Sequence, residues 1–460
     1  MQIRQKRNHA DPSNSSGAAY NVESVKRRRT EESSKRDQAQ RLEQRKSYIH
    51  RAKVLESPLL QLSLEREHGQ TPVPDLQRNA ARAVVKGWKA EEILCAEAPP
   101  RPESTHALNV LDYDPISKTL FTSSTDGMNS ALLGYSLHED EEITSQHMPK
   151  FVKDKIRHFA SSMSSVSSAH INKESRLLLA TWRSPPTGSN VFLTNLLEDG
   201  YYDIAQRWRV ESVRGYPLDL LASALGPTGS RYSLVIGTSD GLITADRVSA
   251  ALTIEKFDTE EPNTSDVFAI EFLSYLSPSV MLTGQRSGKV EIFDDRVDDL
   301  SSTGTLHHPS AVSHIKQIDG NRIIVAGLHS TLCQYDLRYC VGRPAHHIWS
   351  KHNCRAKGYR EKVTKTILQY AEHNNQAYTD LGFDVDIEAG LVAAAQSDGS
   401  NTVKIFSLHG GQALQTLDAT YVGTTFSNLP IKALAFQEDR TGAPKSLWVA
   451  KGTKVIRYGW

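Results

Sequence analysis

A turn frame recurs along this chain at intervals of tens of residues. Thr125-Asp126-Gly127, Ser239-Asp240-Gly241 and Ser397-Asp398-Gly399 each lie between two β-rich runs. Arg286-Ser287-Gly288 keeps the glycine, and Leu328-His329-Ser330 holds the same frame without it. A two-residue type I′ hairpin needs positive φ at both central residues, which Asp followed by Gly tolerates. The flanks agree. Lys289-Val290-Glu291-Ile292-Phe293 alternates polar with apolar, and residues 321–326 and 390–395 are continuous runs suited to strands buried on both faces.

Seven such units can be marked, with inner hairpins near 106–137, 164–196, 217–248, 266–297, 311–339, 378–408 and 430–460. Each opens on a strand such as Val267-Phe268-Ala269-Ile270-Glu271-Phe272. About 20–40 residues between units leave room for a fourth strand. Four antiparallel strands repeated at this spacing predict an all-β fold, a seven-bladed β-propeller. The final run, 453–460, reads as a third strand, so the last blade needs an outer one. Trp88-Lys89-Ala90-Glu91-Glu92-Ile93-Leu94-Cys95 is predicted to supply it and remove an open sheet edge. The second unit is the least regular, because Ser184-Pro185-Pro186-Thr187-Gly188-Ser189 replaces its Asp-Gly turn.

The domain plan that follows is a disordered basic tail at 1–30, a helical docking arm at 31–69, a linker at 70–87 and the propeller at 88–460. Charge separates these parts. The first 56 residues hold 14 Lys or Arg against 7 Asp or Glu, so they carry +7 of a total of +1, and the remainder is at −6. Such an arm suits targeting or contact. Lys26, Arg27, Arg28 and Arg29 form a compact tetrad that reads either as a nuclear import signal or as a solvated charge run. The expected location is the nucleus, with the cytoplasm left open. No apolar signal core opens the sequence and no apolar run reaches 18 residues, so neither secretion nor a membrane partner is expected. The four cysteines form no C-x-x-C pair and read as reduced thiols.

Residues 31–56 are rich in helix formers and free of Gly and Pro. Ser57-Pro58 resembles an N-cap with proline at the first helical position, and Leu59, Leu60, Leu62 and Leu64 follow before Gly69. The leucine ridge docks either on its own propeller or in a groove of another protein.

In two consecutive units the third strand ends in aromatic-Asp-x-Arg: Phe293-Asp294-Asp295-Arg296 and Tyr335-Asp336-Leu337-Arg338. The Asp-Gly turns mark one end of that strand, so both boxes lie on the opposite rim, on adjacent blades. Arg296 and Arg338 either pair privately with Asp294 and Asp336 or present their forks of donors to a partner.

These boxes resemble the W-D-x-R box of WD-repeat substrate receptors of cullin-four RING ubiquitin ligases. The resemblance rests on 284–296, His308-Pro309-Ser310-Ala311-Val312-Ser313, Leu332-Cys333-Gln334-Tyr335-Asp336-Leu337-Arg338, 388–394 and 403–409. It covers about 230–460 well and the arm loosely; 100–230 match only by blade pattern. It implies that Arg296 and Arg338, with Asp294 and Asp336, contact the triple-propeller adaptor of the ligase. It further implies that the arm at about 41–68, with Leu59, Leu60 and Leu62, inserts into the adaptor's groove. The chain departs from that family in having Phe293 and Tyr335 for the usual Trp. Phe406-Ser407-Leu408-His409 has neither the Asp nor the Arg.

A long insertion, 340–377, carries Arg343, Lys351, Arg355, Lys357, Arg360, Lys362 and Lys365 against Glu361 and Glu372. As a loop between the fifth and sixth blades it would lie on the Asp-Gly rim. There it is either a solvated basic loop or a contact for an acidic protein or nucleic acid. Its aromatic content is too low to argue base stacking. No P-loop, G-x-G-x-x-G, H-E-x-x-H or G-x-S-x-G appears, and the His pairs lack metal spacing. The sequence therefore predicts a non-enzyme without cofactor or metal. It is expected to be a substrate receptor linking the ligase adaptor to a substrate protein that the sequence does not identify. The alternative is a general nuclear WD-repeat scaffold in chromatin or RNA processing, with the basic arm on nucleic acid.

Overall fold

A computed structural model describes residues 73–95, 107–125, 129–137, 151–152, 159–162, 165–183, 188–197, 206–210, 218–247, 252–256, 266–274, 277–297, 302–342, 364–399, 402–418, 430–438 and 445–459, with the isolated positions 35 and 40. The described strands form seven antiparallel sheets of four or five strands. Their inner strands are Ala107–Asp114, Ser165–Asn172, Leu220–Leu225, Val267–Phe272, Val312–Gln317, Phe383–Asp386 and Ala433–Gln437. Each inner strand contacts the next, and the seventh returns to the first. The chain is a seven-bladed β-propeller.

Closure follows the sequence expectation. Lys89–Cys95 pairs antiparallel with Lys454–Gly459 and becomes the outer strand of the seventh blade. The N-terminal strand thus completes a sheet whose other three strands come from the C-terminal end.

The apolar core is divided among the gaps between blades. Leu282, Val290, Ile323 and Tyr335 fill the gap between the fourth and fifth blades. Leu178, Ala180, Phe121 and Leu132 fill that between the first and second. All seven gaps hold such a cluster. Each fully buried aliphatic side chain contributes about 1.5–3 kcal/mol, so ring closure is cooperative: an open gap exposes two faces at once.

Polar clasps join inner strands around the axis. The carboxylates of Asp112, Glu271 and Asp384 accept the N–H of Ile171, Gln317 and Phe436 on the following blade, at 2.8, 3.4 and 2.7 Å. Lys316 Nζ stands 4.0 Å from Glu271 and 3.9 Å from Asp384, on blades either side of its own. The Glu271 carboxylate, then burial in the opposite sense, then Asp384, set the Lys316 ammonium; the net effect is upward.

Two placements differ from the sequence expectation. Most of the expected linker at 70–87 is a helix, α1 (Val73–Lys86). Pro74 falls in its first turn, where a missing N–H costs little, and Gly87 follows its last residue. Ala81 and Val85, one turn apart, are buried in the gap between the sixth and seventh blades. Trp88 then packs on Phe436, ring centroids 6.4 Å apart.

The basic insertion also sits elsewhere than expected. Val341–Gly342 pairs with the outer strand of the fourth blade, Ser302–His307. The outer strand of the fifth blade is Leu368–Gln369, which pairs with Leu332–Asp336. The insertion therefore joins the third and outer strands of the fifth blade, not the fifth blade to the sixth. A two-residue outer strand carries almost no sequence signal, which is why the connection was misplaced. Arg343, Lys351, Arg355, Lys357, Tyr359, Arg360 and Lys362 lie outside the described residues.

The hairpins explain their own residues. Gly288 has φ +83, and a Cβ there would stand 2.4 Å from the His308 carbonyl oxygen, so only glycine fits. His329 and Ser330 both take positive φ, 53° and 60°, without glycine. Their turn is held by Asn375, whose carbonyl accepts the Ser330 N–H at 2.7 Å and whose side-chain amide donates to the Tyr378 carbonyl at 2.8 Å.

Candidate docking rim

Strand register assigns the two rims. In the fourth blade Gly284 faces Val290 beside the hairpin, while Val280 faces Asp294 at the far end. In the fifth, Ala326 faces Leu332 and Arg322 faces Asp336. Both boxes, and the turns from first to second strands, therefore share the rim away from the Asp-Gly-type hairpins, as expected.

Each box divides its residues by depth. The aromatic points inward: Phe293 and Tyr335 are fully buried. The Tyr335 hydroxyl bonds His308 Nδ1 at 2.9 Å, and His308 Nε2 bonds Thr331 Oγ1 at 2.8 Å. Ser310 Oγ joins the same Thr331 hydroxyl at 2.6 Å. These positions are part of the blade and are unavailable to a partner.

The aspartates form a layer beneath the surface. Asp336 caps a short 3-10 turn, Leu337–Tyr339, and its Oδ1 accepts the Arg338 N–H and Nε–H, both at 2.9 Å. Its Oδ2 accepts Arg338 Nη2 at 2.5 Å. Asp294 repeats the pattern with Arg296: backbone N–H at 3.1 Å, Nε at 2.8 Å, Nη2 at 2.5 Å. These guanidinium hydrogen bonds hold both carboxylates below the usual range and raise both arginines.

The arginines are nevertheless outward. Their side chains are 65 % and 66 % exposed, whereas Asp294 and Asp336 are 18 % and 6 % exposed. Only Nε and Nη2 of each are engaged, so among the described residues neither Nη1 has a hydrogen-bond partner. Each guanidinium is fixed on a carboxylate pedestal and still offers donors. Of the two alternatives posed by the sequence, the private pairing with Asp294 and Asp336 is present, and it leaves both guanidinium groups about two-thirds exposed.

Other rim residues show the contrast. Arg247 ends the third strand of the third blade, but its guanidinium donates to the carbonyls of Ser230, Gly226 and Pro227 at 3.1–3.2 Å. Asp295, inside the first box, is buried and accepts the Ser230 hydroxyl at 2.7 Å and the Arg231 N–H at 2.8 Å. It fastens the fourth blade to the third.

Sequence reasoning missed three neighbours. Arg322 stands opposite Asp336, with its Nε 2.6 Å from Asp319 Oδ2. Tyr339 and Val297, which directly follow the two box arginines, are 74 % and 41 % exposed. The signal for Tyr339 and Val297 was available as apolar residues placed immediately after each Arg. Arg322 comes from a separate turn and carries no local signal.

The chain reaches the propeller on this same rim. Lys89, which follows α1 after two residues, faces Gly459 at the end of the last third strand, while Cys95 faces Lys454 beside the hairpin. The candidate arm residues Leu59, Leu60 and Leu62, and the tetrad Lys26, Arg27, Arg28 and Arg29, lie outside the described residues.

No three His, Cys, Asp or Glu among the described residues are grouped to hold a metal ion. No described helix is long and apolar enough to cross a membrane. Compared with known proteins, the chain matches no protein-family model, and no curated protein matches it significantly.

Proposed function

We propose that this protein is a non-catalytic substrate receptor of a cullin-four RING ubiquitin ligase. In this role the box rim docks the ligase adaptor, and the hairpin rim is left for a substrate protein. The observation that carries the reading is the pair of arginines on adjacent blades, each locked on a carboxylate and each about two-thirds exposed. A pre-set guanidinium loses little freedom on binding and reads an acidic or carbonyl-rich surface through several donors. The protein performs no bond chemistry in this role. It raises the effective concentration of the substrate beside the ligase. The basic tetrad at 26–29 suits a nuclear location.

The test is binding of the purified adaptor to the full chain. Arg296→Glu with Arg338→Glu is expected to weaken binding at least a hundredfold; each change also removes the partner of a largely buried aspartate, so the unfolding transition of the variant is measured beside its affinity. Unchanged affinity in the double variant, with the arm retained, rejects the docking role of the boxes. A nuclear scaffold that uses its basic arm on nucleic acid would instead show no adaptor binding and a steep fall of nucleic-acid affinity with salt.

A further inference from the structure

The two boxes are not equivalent, and we propose that the dominant contact lies on the fifth blade, where Tyr339, Arg338 and Arg322 form one hot spot for an acidic protein surface with an apolar cleft. This rests on the adaptor-docking role proposed above and names the part of the rim that supplies most of the affinity.

Tyr339 is the most exposed large apolar side chain among the described residues, at 74 %. Its support is nonetheless rigid. The 3-10 turn that carries it is capped at one end by Asp336, and at the other the Cys340 N–H donates to the Leu337 carbonyl at 3.1 Å. Leu337, two residues before Tyr339, packs against the core between the fourth and fifth blades. An exposed aromatic held on a fixed turn buries a large area on binding at little entropic cost.

Two guanidiniums flank the same carboxylate layer. Arg322 and Arg338 both act on Asp336, and Arg338 also acts with Asp319. Asp319 Oδ1 accepts the N–H groups of Asn321 and Arg322 at 2.9 and 2.8 Å, and its Oδ2 holds Arg322 Nε at 2.6 Å, so this turn fixes Arg322 beside the box, with both side chains partly exposed. The surface a partner meets is led by the outward Arg338 and Tyr339, with Asp336 tucked beneath and the Arg322–Asp319 pair partly exposed beside them. Tyr and Arg together are the residues most enriched where interface energy concentrates.

The fourth blade offers less. Val297 replaces the tyrosine, and no arginine stands opposite Asp294, whose cross-strand partner is Val280. The rest of the rim agrees with a contact face. Four of the six large exposed apolar side chains among the described residues, Ile116, Leu197, Val297 and Tyr339, lie at first-to-second turns or third-strand ends. Of the other two, Ile367 precedes the outer strand of the fifth blade and Tyr378 lies near the hairpin of that blade.

The experiment measures affinity of the purified adaptor for single variants of the full chain by calorimetry. Tyr339→Ala is expected to weaken binding at least tenfold and Tyr339→Phe by no more than twofold. Arg322→Glu is expected to cost more than Val297→Ala. Unchanged thermal unfolding of each variant confirms that the loss is in the contact. If Tyr339→Ala and Arg322→Glu stay within twofold of wild type while Arg296→Glu or Arg338→Glu weakens binding, the hot spot is wrong and the docking role stands. If the wild-type protein itself does not bind the adaptor, both are overturned.

Discussion

Removing residues 1–95 abolishes cooperative folding, whereas removing residues 1–72 leaves it intact. The shorter deletion spares α1 and the closing strand. The longer one strips the seventh blade of its outer strand and leaves Lys454–Gly459 as an open edge next to an uncovered core. Val85, Ile93 and Leu94 are each less than 5 % exposed, and losing three buried aliphatics costs about 5–9 kcal/mol. The total stability of a typical protein is about 5–15 kcal/mol, so little or none remains. The open strand also invites pairing between molecules. Size-exclusion chromatography and urea unfolding of chains 73–460 and 96–460 check this. Chain 96–460 should be aggregated or without a cooperative transition. A monomeric 96–460 with the midpoint of 73–460 would show that closure by the N-terminal strand is dispensable.

Two buried histidines kept neutral in the folded state, His308 and His373, each lower stability by about 2 kcal/mol as pH falls from 7 to 5. Burial pushes His308 down to about 3 and His373 to about 4 from an ordinary 6.5. Both rings are about 5 % exposed or less. His308 is occupied by the Tyr335 and Thr331 hydroxyls, while the His373 ring has no described partner for either nitrogen. The folded values lie below the unfolded one, so the unfolded chain takes up protons first. Their contribution is complete above about 6.5 and is lost as pH falls toward 4. Each costs about 1.4 kcal/mol per pH unit once the unfolded imidazole is charged, or about 2 kcal/mol at pH 5. Urea midpoints at pH 7, 6 and 5 measure this, and His373→Phe should reduce the acid loss. A wild-type midpoint that is flat from pH 7 to 5 contradicts it.

The blades were legible because their turns are local chemistry. Ser239-Asp240-Gly241 and Ser397-Asp398-Gly399 announce chain reversals by residue type; Gly241 and Gly399 take positive φ, 133° and 78°, but Asp240 and Asp398 do not, so neither turn is the expected type I′, and positive φ at two successive positions occurs instead at His329 and Ser330. The partner of Lys89–Cys95 was legible by counting strands in the last blade. What failed depends on tertiary packing. Residues 73–86 look like a linker until the groove between the sixth and seventh blades receives Ala81 and Val85. The insertion could not be positioned because Leu368–Gln369 is too short to announce itself as a strand.

The rim was half legible. Arg296 and Arg338 were visible because each box is contiguous in sequence; the aromatic is buried within the strand, the strand ends at the aspartate, and the arginine lies on the turn beyond it. Arg322 was invisible because antiparallel register, not sequence, brings it opposite Asp336. The exposure of Tyr339 was equally beyond the sequence, since it depends on the 3-10 turn that carries the side chain.

Hydrogen exchange of the full chain, alone and with the purified adaptor, tests most directly the claim that one rim docks the ligase. The account predicts slowed exchange at 294–297, 319–322 and 336–340, with exchange at 239–241, 286–288 and 398–399 unchanged. Protection confined to those hairpin turns, with the box segments exchanging as in the free protein, would contradict it.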